Sequence, residues 1–310
     1  MNNFSIAIHG GAGTLVKGLM TPEKEKEYKN ALENALHLGF SLLEKGGSAL
    51  DVVEQAVRCL EDSPLFNAGK GSVFTNAGTH EMDAAIMDGT SLQAGAVTLI
   101  TGIRNPISLA RDVMEKSDHV FLAGEGAMRF AKSNGHQLET PEYFYDEVRY
   151  QQWQGIKDTD KFQLDHSMKQ EGKFGTVGAV ACDQNGNIAA ATSTGGMTNK
   201  KWGRVGDSPM IGAGNYANNQ TCAVSCTGSG EFFIRGVVAY DVSCLMEYKG
   251  LSLQQAAEEV IMKRVLKIGG DGGLIAVDAK GNVAMPFNTE GMYRGYKTSD
   301  GGDVVMIYKE

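Results

Sequence analysis

The alternation of apolar and polar positions divides the first part of the chain into a short strand and two helices. Residues 5–9 form an apolar run that ends in a glycine cluster, which predicts a buried strand. Threonine, proline and glutamate at 21–23 predict a helix start, and apolar residues then recur at helical spacing up to two glycines at 46–47. Ser48, with Asp51 three residues later, predicts the cap of a second helix.

The middle of the chain changes character twice. Residues 81–100 have a strand-like pattern, and residues 106–131 have a helical one. Residues 139–173 are polar and charged, with little periodicity. Such a composition is typical of a segment that buries little apolar surface, so we predict an exposed, mobile linker there.

Alternation resumes abruptly at Thr176 and predicts a strand at 176–182, a turn at 183–186 and a second strand at 188–194. The remaining predicted elements are a strand at 221–227, helices at about 231–248 and 252–268, a hairpin of strands at 273–278 and 283–287, and a last strand at 304–308. Strands occur in hairpins and helices in consecutive pairs. We therefore predict an α+β fold with mainly antiparallel sheets and outer helices, not a doubly wound parallel sheet.

Composition and charge narrow the classes of function. The chain has 310 residues, which fits one large domain or two ordinary ones, and its 42% hydrophobic and 21% charged residues indicate a globular protein. A formal net charge of −8 argues against nucleic-acid or anionic-membrane partners and favours a small soluble substrate. Residues 1–13 lack a signal-peptide pattern, and no apolar run approaches the roughly 20 residues of a membrane span, so we expect a cytoplasmic protein.

Several common catalytic and binding motifs are absent from the sequence. It contains neither the dinucleotide fingerprint nor the phosphate-binding loop, which argues against a nucleotide-binding protein. His80 and Glu81 begin like a zinc-protease motif, but Ala84 occupies the position of the second histidine. The six histidines do not cluster in the sequence. A serine or cysteine hydrolase with a histidine base is therefore poorly supported.

A threonine at a chain terminus can act as a nucleophile without histidine, because its own α-amine serves as the base. That amine titrates near pH 7.7–8.0, so part of it is neutral at working pH. Here Gly175 precedes Thr176, which begins an alternating strand after the predicted linker. Glycine can adopt backbone angles that expose its carbonyl to the next hydroxyl. We therefore predict cleavage between Gly175 and Thr176, although this motif alone is weak.

Eight sequence blocks in a fixed order give a more specific signal. They are HGGAG at 9–13, PLFNAGKG at 64–71, EMDA at 81–84, GTVGAVA at 175–181, TSTGGM at 192–197, GRVGD at 203–207, TGSGE at 227–231 and FNTEGM at 287–292. Over nearly its whole length the chain resembles the plant-type asparaginases, or isoaspartyl (β-aspartyl) peptidases, of the N-terminal-nucleophile hydrolases. Within this family, the chain resembles the bacterial isoaspartyl aminopeptidases in particular.

This resemblance implies roles for particular residues in binding an asparagine or β-aspartyl unit. By analogy, Arg204 binds the substrate α-carboxylate, and its planar fork of donors suits that group. Asp207 binds the ammonium together with the carbonyl of Gly230, and Asn67 lines the pocket. An isolated Arg-x-x-Asp pair would otherwise be interpreted as a solvated surface pair.

The resemblance also assigns the catalytic groups around Thr176. The Thr227 hydroxyl and the Gly228 amide match the oxyanion hole, and Thr194 matches a threonine that hydrogen-bonds the nucleophile. The family needs no cofactor for catalysis but has a sodium loop, so a structural Na⁺ is expected here. Its implied main-chain ligands are Leu60, Glu61, Ser63, Phe66, Ala68 and Lys70.

At the scale of the fold, the resemblance implies one domain built as a four-layer αββα sandwich. Autocleavage would give an α chain, 1–175, whose linker covers about 139–175, and a β chain, 176–310. Two such pairs would form an (αβ)2 assembly. The expected activity is hydrolysis of isoaspartyl dipeptides and L-asparagine to release L-aspartate. Two alternatives stay open, a glycosylasparaginase-like amidase and a binding protein that keeps the pocket without maturing.

Overall fold

The computed structural model describes residues 3–159 and 175–309, which form a mixed α and β structure. In the first range the elements are β1 (Ser5–Gly13), α1 (Pro22–Glu44), α2 (Ala49–Glu61), a 3-10 turn (Gly69–Gly71), β2 (Met82–Asp88), β3 (Ala94–Ile100), α3 (Pro106–Lys116), β4 (Phe121–Ala123), α4 (Gly124–Ser133), α5 (Pro141–Phe144) and α6 (Glu147–Gln154). In the second range they are β5 (Val177–Cys182), β6 (Ile188–Thr194), β7 (Asn215–Ala217), β8 (Cys222–Gly228), α7 (Gly230–Gly236), α8 (Val238–Lys249), α9 (Leu253–Glu259), a π-helical segment (Val260–Val265), β9 (Gly272–Asp278), β10 (Val283–Ala284), β11 (Gly291–Thr298) and β12 (Asp303–Tyr308). None of the helices in these two ranges is both long and apolar enough to cross a bilayer.

The first two helices begin where the sequence predicts. The Thr21 hydroxyl accepts a hydrogen bond from the Lys24 amide and caps α1. The Ser48 hydroxyl accepts a hydrogen bond from the Asp51 amide and caps α2. It also donates to the Asp51 carboxylate at 2.7 Å. Both caps satisfy amide groups that have no partner within their own helix.

The larger sheet has eight strands in the order β12-β11-β1-β5-β6-β2-β3-β4. Its neighbours are antiparallel except β3 and β4, which are parallel. A parallel neighbour requires a crossover connection, and α3 provides it between these two strands. The large sheet is therefore mixed, with one parallel pair at its edge.

A second sheet has four antiparallel strands in the order β10-β9-β8-β7 and packs against the first. Apolar side chains fill the space between the sheets, among them Ala7, Val180, Ala190, Ala223 and Ile275. The helices α1, α2 and α3 contact the first sheet, while α8 and α9 contact the second. The core therefore consists of one layer between the sheets and further layers beneath the helices.

The central strand β5 is buried on both faces. On one face, the core beneath helices α1, α2 and α3 contains Val177, Ala179 and Ala181. On the other face, the core between the sheets contains Val180 and Cys182. Successive side chains of a strand point to opposite faces, so this alternation places apolar groups on each side. Burial on two faces fixes the position of the residue that precedes the strand.

The single helix predicted at about 231–248 is wrong. The chain forms α7 and α8 instead, and they meet at Val237, whose φ of 47° is left-handed. A left-handed residue interrupts a right-handed helix. A β-branched residue rarely adopts this conformation, so the break has no visible signal in the sequence.

The exposed linker predicted at 139–173 is wrong for its first part. Residues 139–159 contain α5 and α6, and both Phe144 and Arg149 are buried. Trp153 stacks on Phe74, with ring centroids 5.6 Å apart. Helices of four and eight residues are too short to show clear periodicity, and aromatic packing positions them. Residues 160–173, the rest of that prediction, lie outside the described residues.

Candidate active site

Thr176 lies directly before β5, and the residue is only 8% exposed. Its hydroxyl is 3.2 Å from the Ser208 hydroxyl and forms a hydrogen bond with it. On the other side, β1 approaches the preceding residue, because a Cβ added at Gly11 (φ 114°) would stand 2.5 Å from the Gly175 amide nitrogen. Only glycine permits this backbone angle and this approach without strain. The structure therefore encloses the predicted scissile bond between β1 and the Ser208 loop.

Thr227, near the end of β8, lies beside Gly175. A Cβ added at Gly175 would stand 3.3 Å from Thr227 Oγ1. The Thr227 hydroxyl oxygen accepts a hydrogen bond from the Ala12 amide at 3.3 Å. Its own hydrogen can then point elsewhere, toward Gly175. Gly228 follows directly and ends the strand, so Thr227, one of the two predicted oxyanion-hole residues, lies next to the residue that precedes Thr176.

Asn67 and Thr194 organise a neighbouring turn. The Thr194 hydroxyl accepts a hydrogen bond from the Gly196 amide at 3.0 Å. The Asn67 side chain donates to the Gly196 carbonyl at 2.7 Å and accepts from the Val73 amide at 3.1 Å. The Asn67 carbonyl accepts from the Gly195 amide at 3.0 Å. Asn67 therefore positions the glycine turn that follows Thr194.

No hydrogen bond joins the Thr194 and Thr176 side chains in the parts of the chain that the structure describes, so the predicted bond is not seen there. Among the residues described, the Thr176 hydroxyl is bonded to Ser208, and the Thr194 hydroxyl is bonded within its own turn. Sequence reasoning missed Ser208 as a partner of the nucleophile. The only available signal was its position next to Asp207.

Arg204, Asp207 and Gly230 come together, as their predicted roles require. A Cβ added at Gly230 would stand 2.9 Å from both Arg204 Nη2 and Asp207 Oδ1. Arg204 donates two parallel hydrogen bonds to Glu231, at 2.8 Å and 3.1 Å. Such a fork fixes the guanidinium plane. Glu231 thus orients Arg204, a role that the sequence analysis did not assign.

The Asp207 carboxyl group is buried without a complete set of partners. The residue is 4% exposed, and its Oδ2 atom has no hydrogen-bond partner among the described atoms. Burial raises the pKa of Asp207 to about 7, and the positive charge of Arg204 opposes that rise. A buried carboxylate oxygen without a donor is unfavourable, so this geometry suits a bound ammonium group.

The predicted sodium loop connects α2 to the 3-10 turn. A Cβ added at Gly69 would stand 2.5 Å from the Glu61 carbonyl oxygen, and one added at Gly71 would clash with the Phe66 carbonyl oxygen. Only glycine therefore allows the backbone to approach these two carbonyl oxygens so closely. Hard cations prefer oxygen ligands of this kind, and the sodium ion at this loop stays a prediction. The full predicted ligand set is the main-chain carbonyls of Leu60, Glu61, Ser63, Phe66, Ala68 and Lys70.

Comparison with known proteins confirms the resemblance seen in the eight sequence blocks. Residues 2–307 match a family model described as Asparaginase. The chain is 54% identical to an isoaspartyl peptidase from Salmonella typhimurium, with 100% of each chain covered. It is 53% identical to an isoaspartyl peptidase from Escherichia coli, covering 100% of this chain and 98% of that protein. A plant-type L-asparaginase from Pyrococcus abyssi is 46% identical over 93% of this chain and 94% of its own. The chain therefore belongs to the asparaginase family that includes isoaspartyl peptidases and plant-type L-asparaginases.

Proposed function

We propose that this protein is a self-cleaving threonine amidohydrolase that hydrolyses isoaspartyl (β-aspartyl) dipeptides and L-asparagine and releases L-aspartate. The observation that carries this proposal is the hydrogen bond between Thr176 and Ser208. It joins the candidate nucleophile to the residue directly after Asp207. One loop therefore carries the proposed substrate-binding residues Arg204 and Asp207 and also contacts the Thr176 Oγ1 atom. The names of the related isoaspartyl peptidases support the same substrate class.

Maturation would begin with attack of the Thr176 hydroxyl on the Gly175 carbonyl carbon. A C–O ester bond forms, the C–N bond between the two residues breaks, and the hydroxyl proton passes to the departing nitrogen. Water then hydrolyses the ester, which leaves a carboxylate on Gly175 and a free α-amine on Thr176. The Thr227 hydroxyl, beside Gly175, would donate to the oxyanion that develops on the way.

Catalysis would reuse the same atoms. The Thr176 α-amine takes the hydroxyl proton while Oγ1 attacks the side-chain amide carbon of the substrate. The Thr227 hydroxyl and the Gly228 amide stabilise the oxyanion, and one such donor typically contributes about 2.7–4 kcal/mol to the transition state. The ammonium proton passes to the leaving amine, and water hydrolyses the aspartyl ester to release L-aspartate.

Substrate binding would depend on one charge of each sign. Arg204, oriented by Glu231, would bind the α-carboxylate, and buried Asp207 would bind the α-ammonium with the Gly230 carbonyl. Holding both groups places the side-chain amide in one orientation toward Thr176.

The architecture of the mature protein follows from the family. We infer a four-layer αββα sandwich of the N-terminal-nucleophile type, supported by two stacked sheets with helices outside each. The α chain would cover 1–175 and the β chain 176–310, within one domain. We also propose the (αβ)2 assembly and a structural Na⁺ in the Leu60 to Lys70 loop, while catalysis requires no cofactor.

Turnover of β-Asp-Leu and of asparagine by the purified protein tests this function. We expect L-aspartate from both substrates, and no product from Thr176→Ala. Thr221→Ala is a matched control, because it removes another buried hydroxyl, one that lies directly before β8 and bonds Ser243 of helix α8. An active Thr176→Ala enzyme would refute the nucleophile. A folded wild-type protein that stays uncleaved and inactive would instead indicate a binding protein, and activity on sugar-linked asparagine alone would indicate a glycosylasparaginase.

A further inference from the structure

His9 lies on β1, fully buried, and connects the candidate nucleophile to the second sheet. Its Nδ1 atom is 3.0 Å from the Thr176 carbonyl oxygen. Its Nε2 atom is 2.9 Å from the Ser225 hydroxyl oxygen. The imidazole thus bridges the first peptide plane of β5 and the strand β8.

The direction of each hydrogen bond follows from the chemistry of the partners. A carbonyl oxygen can only accept, so Nδ1 carries the hydrogen and donates to the Thr176 carbonyl. Burial lowers the pKa of His9 to about 3, although the bond to the Thr176 carbonyl opposes that shift. The ring is therefore neutral at physiological pH, and Nε2 has a lone pair but no hydrogen. Ser225 must then donate its hydroxyl hydrogen to Nε2.

The chain of hydrogen-bond donors continues through two more residues, Thr192 and Asn215. The Thr192 and Ser225 hydroxyl oxygens are 2.7 Å apart. The Thr192 hydroxyl also lies 3.3 Å from the Gly214 carbonyl oxygen. Since the Ser225 hydrogen already points to His9, the shorter contact to Ser225 forms only if Thr192 gives its hydrogen to Ser225 rather than to Gly214. The Asn215 side-chain amide donates to the Thr192 oxygen at 3.0 Å. All four residues are buried, so the order of donors is fixed from Asn215 to His9.

Gly178 provides the space for this arrangement. It faces His9 in the pairing of β1 with β5. A Cβ added at Gly178 would clash with both His9 Nε2 and the Ser225 hydroxyl oxygen. The glycine in the Gly-Thr-Val-Gly motif therefore allows the hydrogen bond between the imidazole and the hydroxyl to form directly beside β5.

We propose that His9 is a positioning residue, which fixes the peptide plane after Thr176 through its Nδ1 hydrogen and is itself oriented by Ser225, Thr192 and Asn215. This inference rests on the proposed function. His9 does not act as the base, because one ring nitrogen is committed to the carbonyl and the other accepts from Ser225. Holding the peptide plane aligns the Thr176 amine and hydroxyl with the oxyanion hole. The substrate-binding residues Arg204 and Asp207 are not part of this hydrogen-bonded chain.

Two substitutions at His9 separate positioning from simple packing. His9→Phe keeps a ring but removes both hydrogen bonds. His9→Asn keeps an N–H near the position of Nδ1 and loses the contact to Ser225. For matured enzyme we expect His9→Phe to lower kcat about 10- to 100-fold, with KM within about twofold, since a displaced reacting group costs up to about 100-fold. His9→Asn should recover most of that loss.

Kinetics with β-Asp-Leu decide between the possible outcomes. Equal kcat in the wild type and His9→Phe would overturn the positioning role, as would equal losses in His9→Phe and His9→Asn. If His9→Phe does not mature, the rates of cleavage between Gly175 and Thr176 are compared in the two variants instead. Faster cleavage in His9→Asn supports the positioning role, and equally slow cleavage in both variants overturns it. Should neither variant fold, Ser225→Ala is measured instead. We expect this variant to have a lower kcat at unchanged KM, and an unchanged kcat would refute the inference. An inactive wild type would refute only the proposed function.

Discussion

Asp207 and Arg204 lie within one loop, and their surroundings suit them to bind substrate groups of opposite charge. Asp207 is buried, and its Oδ2 atom has no hydrogen-bond partner in the described parts of the chain, whereas Arg204 is held in a fork by Glu231. Burial acts to raise the pKa of Glu231, but the hydrogen bonds and charge of Arg204 outweigh it and lower that pKa. Glu231 is thus ionised and holds the guanidinium in place before any substrate arrives.

The raised pKa of Asp207 predicts a pH-dependent KM. Burial raises this pKa to about 7, Arg204 opposes the rise, and Glu231 and Asp83 add to it. As the pH falls below about 7, the carboxyl group becomes protonated and loses its attraction for an ammonium, so we expect KM for β-Asp-Leu to rise about tenfold per pH unit at most. Protonation of the Thr176 amine affects kcat in the same range, so KM is the quantity to measure. A KM independent of pH from about 8 to 6 would contradict this role.

Replacement of Arg204 should separate binding from maturation. We expect Arg204→Ala to be cleaved normally but to lose substrate affinity by about 10- to 100-fold, since a charged hydrogen bond contributes about 1.5–3 kcal/mol. Arg264→Ala is the matched control, because Arg264 pairs with Asp241 at 2.5 Å away from this loop. Steady-state KM for β-Asp-Leu is the readout. Full activity of Arg204→Ala would show that the proposed substrate orientation is wrong.

Sequence motifs located most of these residues but not their partners. Thr176, Arg204 and Asp207 could be named because they lie in blocks of consecutive, specific residues. The bonds from His9 join residues 167 and 216 positions apart, and no local pattern reveals such pairs. The Ser208 contact spans 32 positions and was missed for the same reason.

At the scale of elements, local signals predicted helix starts better than helix ends. Thr21 and Ser48 act through hydrogen bonds to residues three positions away, so the sequence contains the whole interaction. The break at Val237 and the parallel strand β4 depend on tertiary packing and were not predicted. The hairpin of β9 and β10 was predicted, because its turn glycine lies within the same short segment.

The contact of α3 with β3 provides a stability test. A Cβ added at Gly95 would clash with the Ala110 carbonyl and stand 2.7 Å from the Met114 amide, both on α3. We expect Gly95→Ala to lower the free energy of unfolding by about 1–3 kcal/mol, because the helix must move off the sheet. Gly126→Ala is the control, since open space surrounds that position in α4 and alanine should stabilise the helix by about 0.5–1 kcal/mol. Denaturant unfolding of both variants measures the difference, and equal stabilities would contradict the close packing.

At the scale of the whole molecule, the two predicted cleavage products share one sheet. Strands β1 and β2 precede the cleavage site, whereas β5, β6 and β11 follow it. In the sheet order β1 lies between β11 and β5, and β6 lies between β5 and β2. Separating the products would break at least three strand pairings and expose the apolar layer between the sheets.

Cleavage should therefore leave the two chains associated. We expect them to co-elute in size-exclusion chromatography in native buffer and to separate only in denaturant. The free energy of the shared core, rather than the covalent bond, would hold them together. Dissociation in native buffer would contradict the single-domain description.

The most direct test of the central claim is the chain composition of the active enzyme. Denaturing electrophoresis and amino-terminal sequencing of purified protein with confirmed β-aspartyl peptidase activity should show two chains, the smaller beginning at Thr176. That result would provide the free amine which the proposed chemistry uses as its base. Full activity in a homogeneous, uncleaved polypeptide would contradict it.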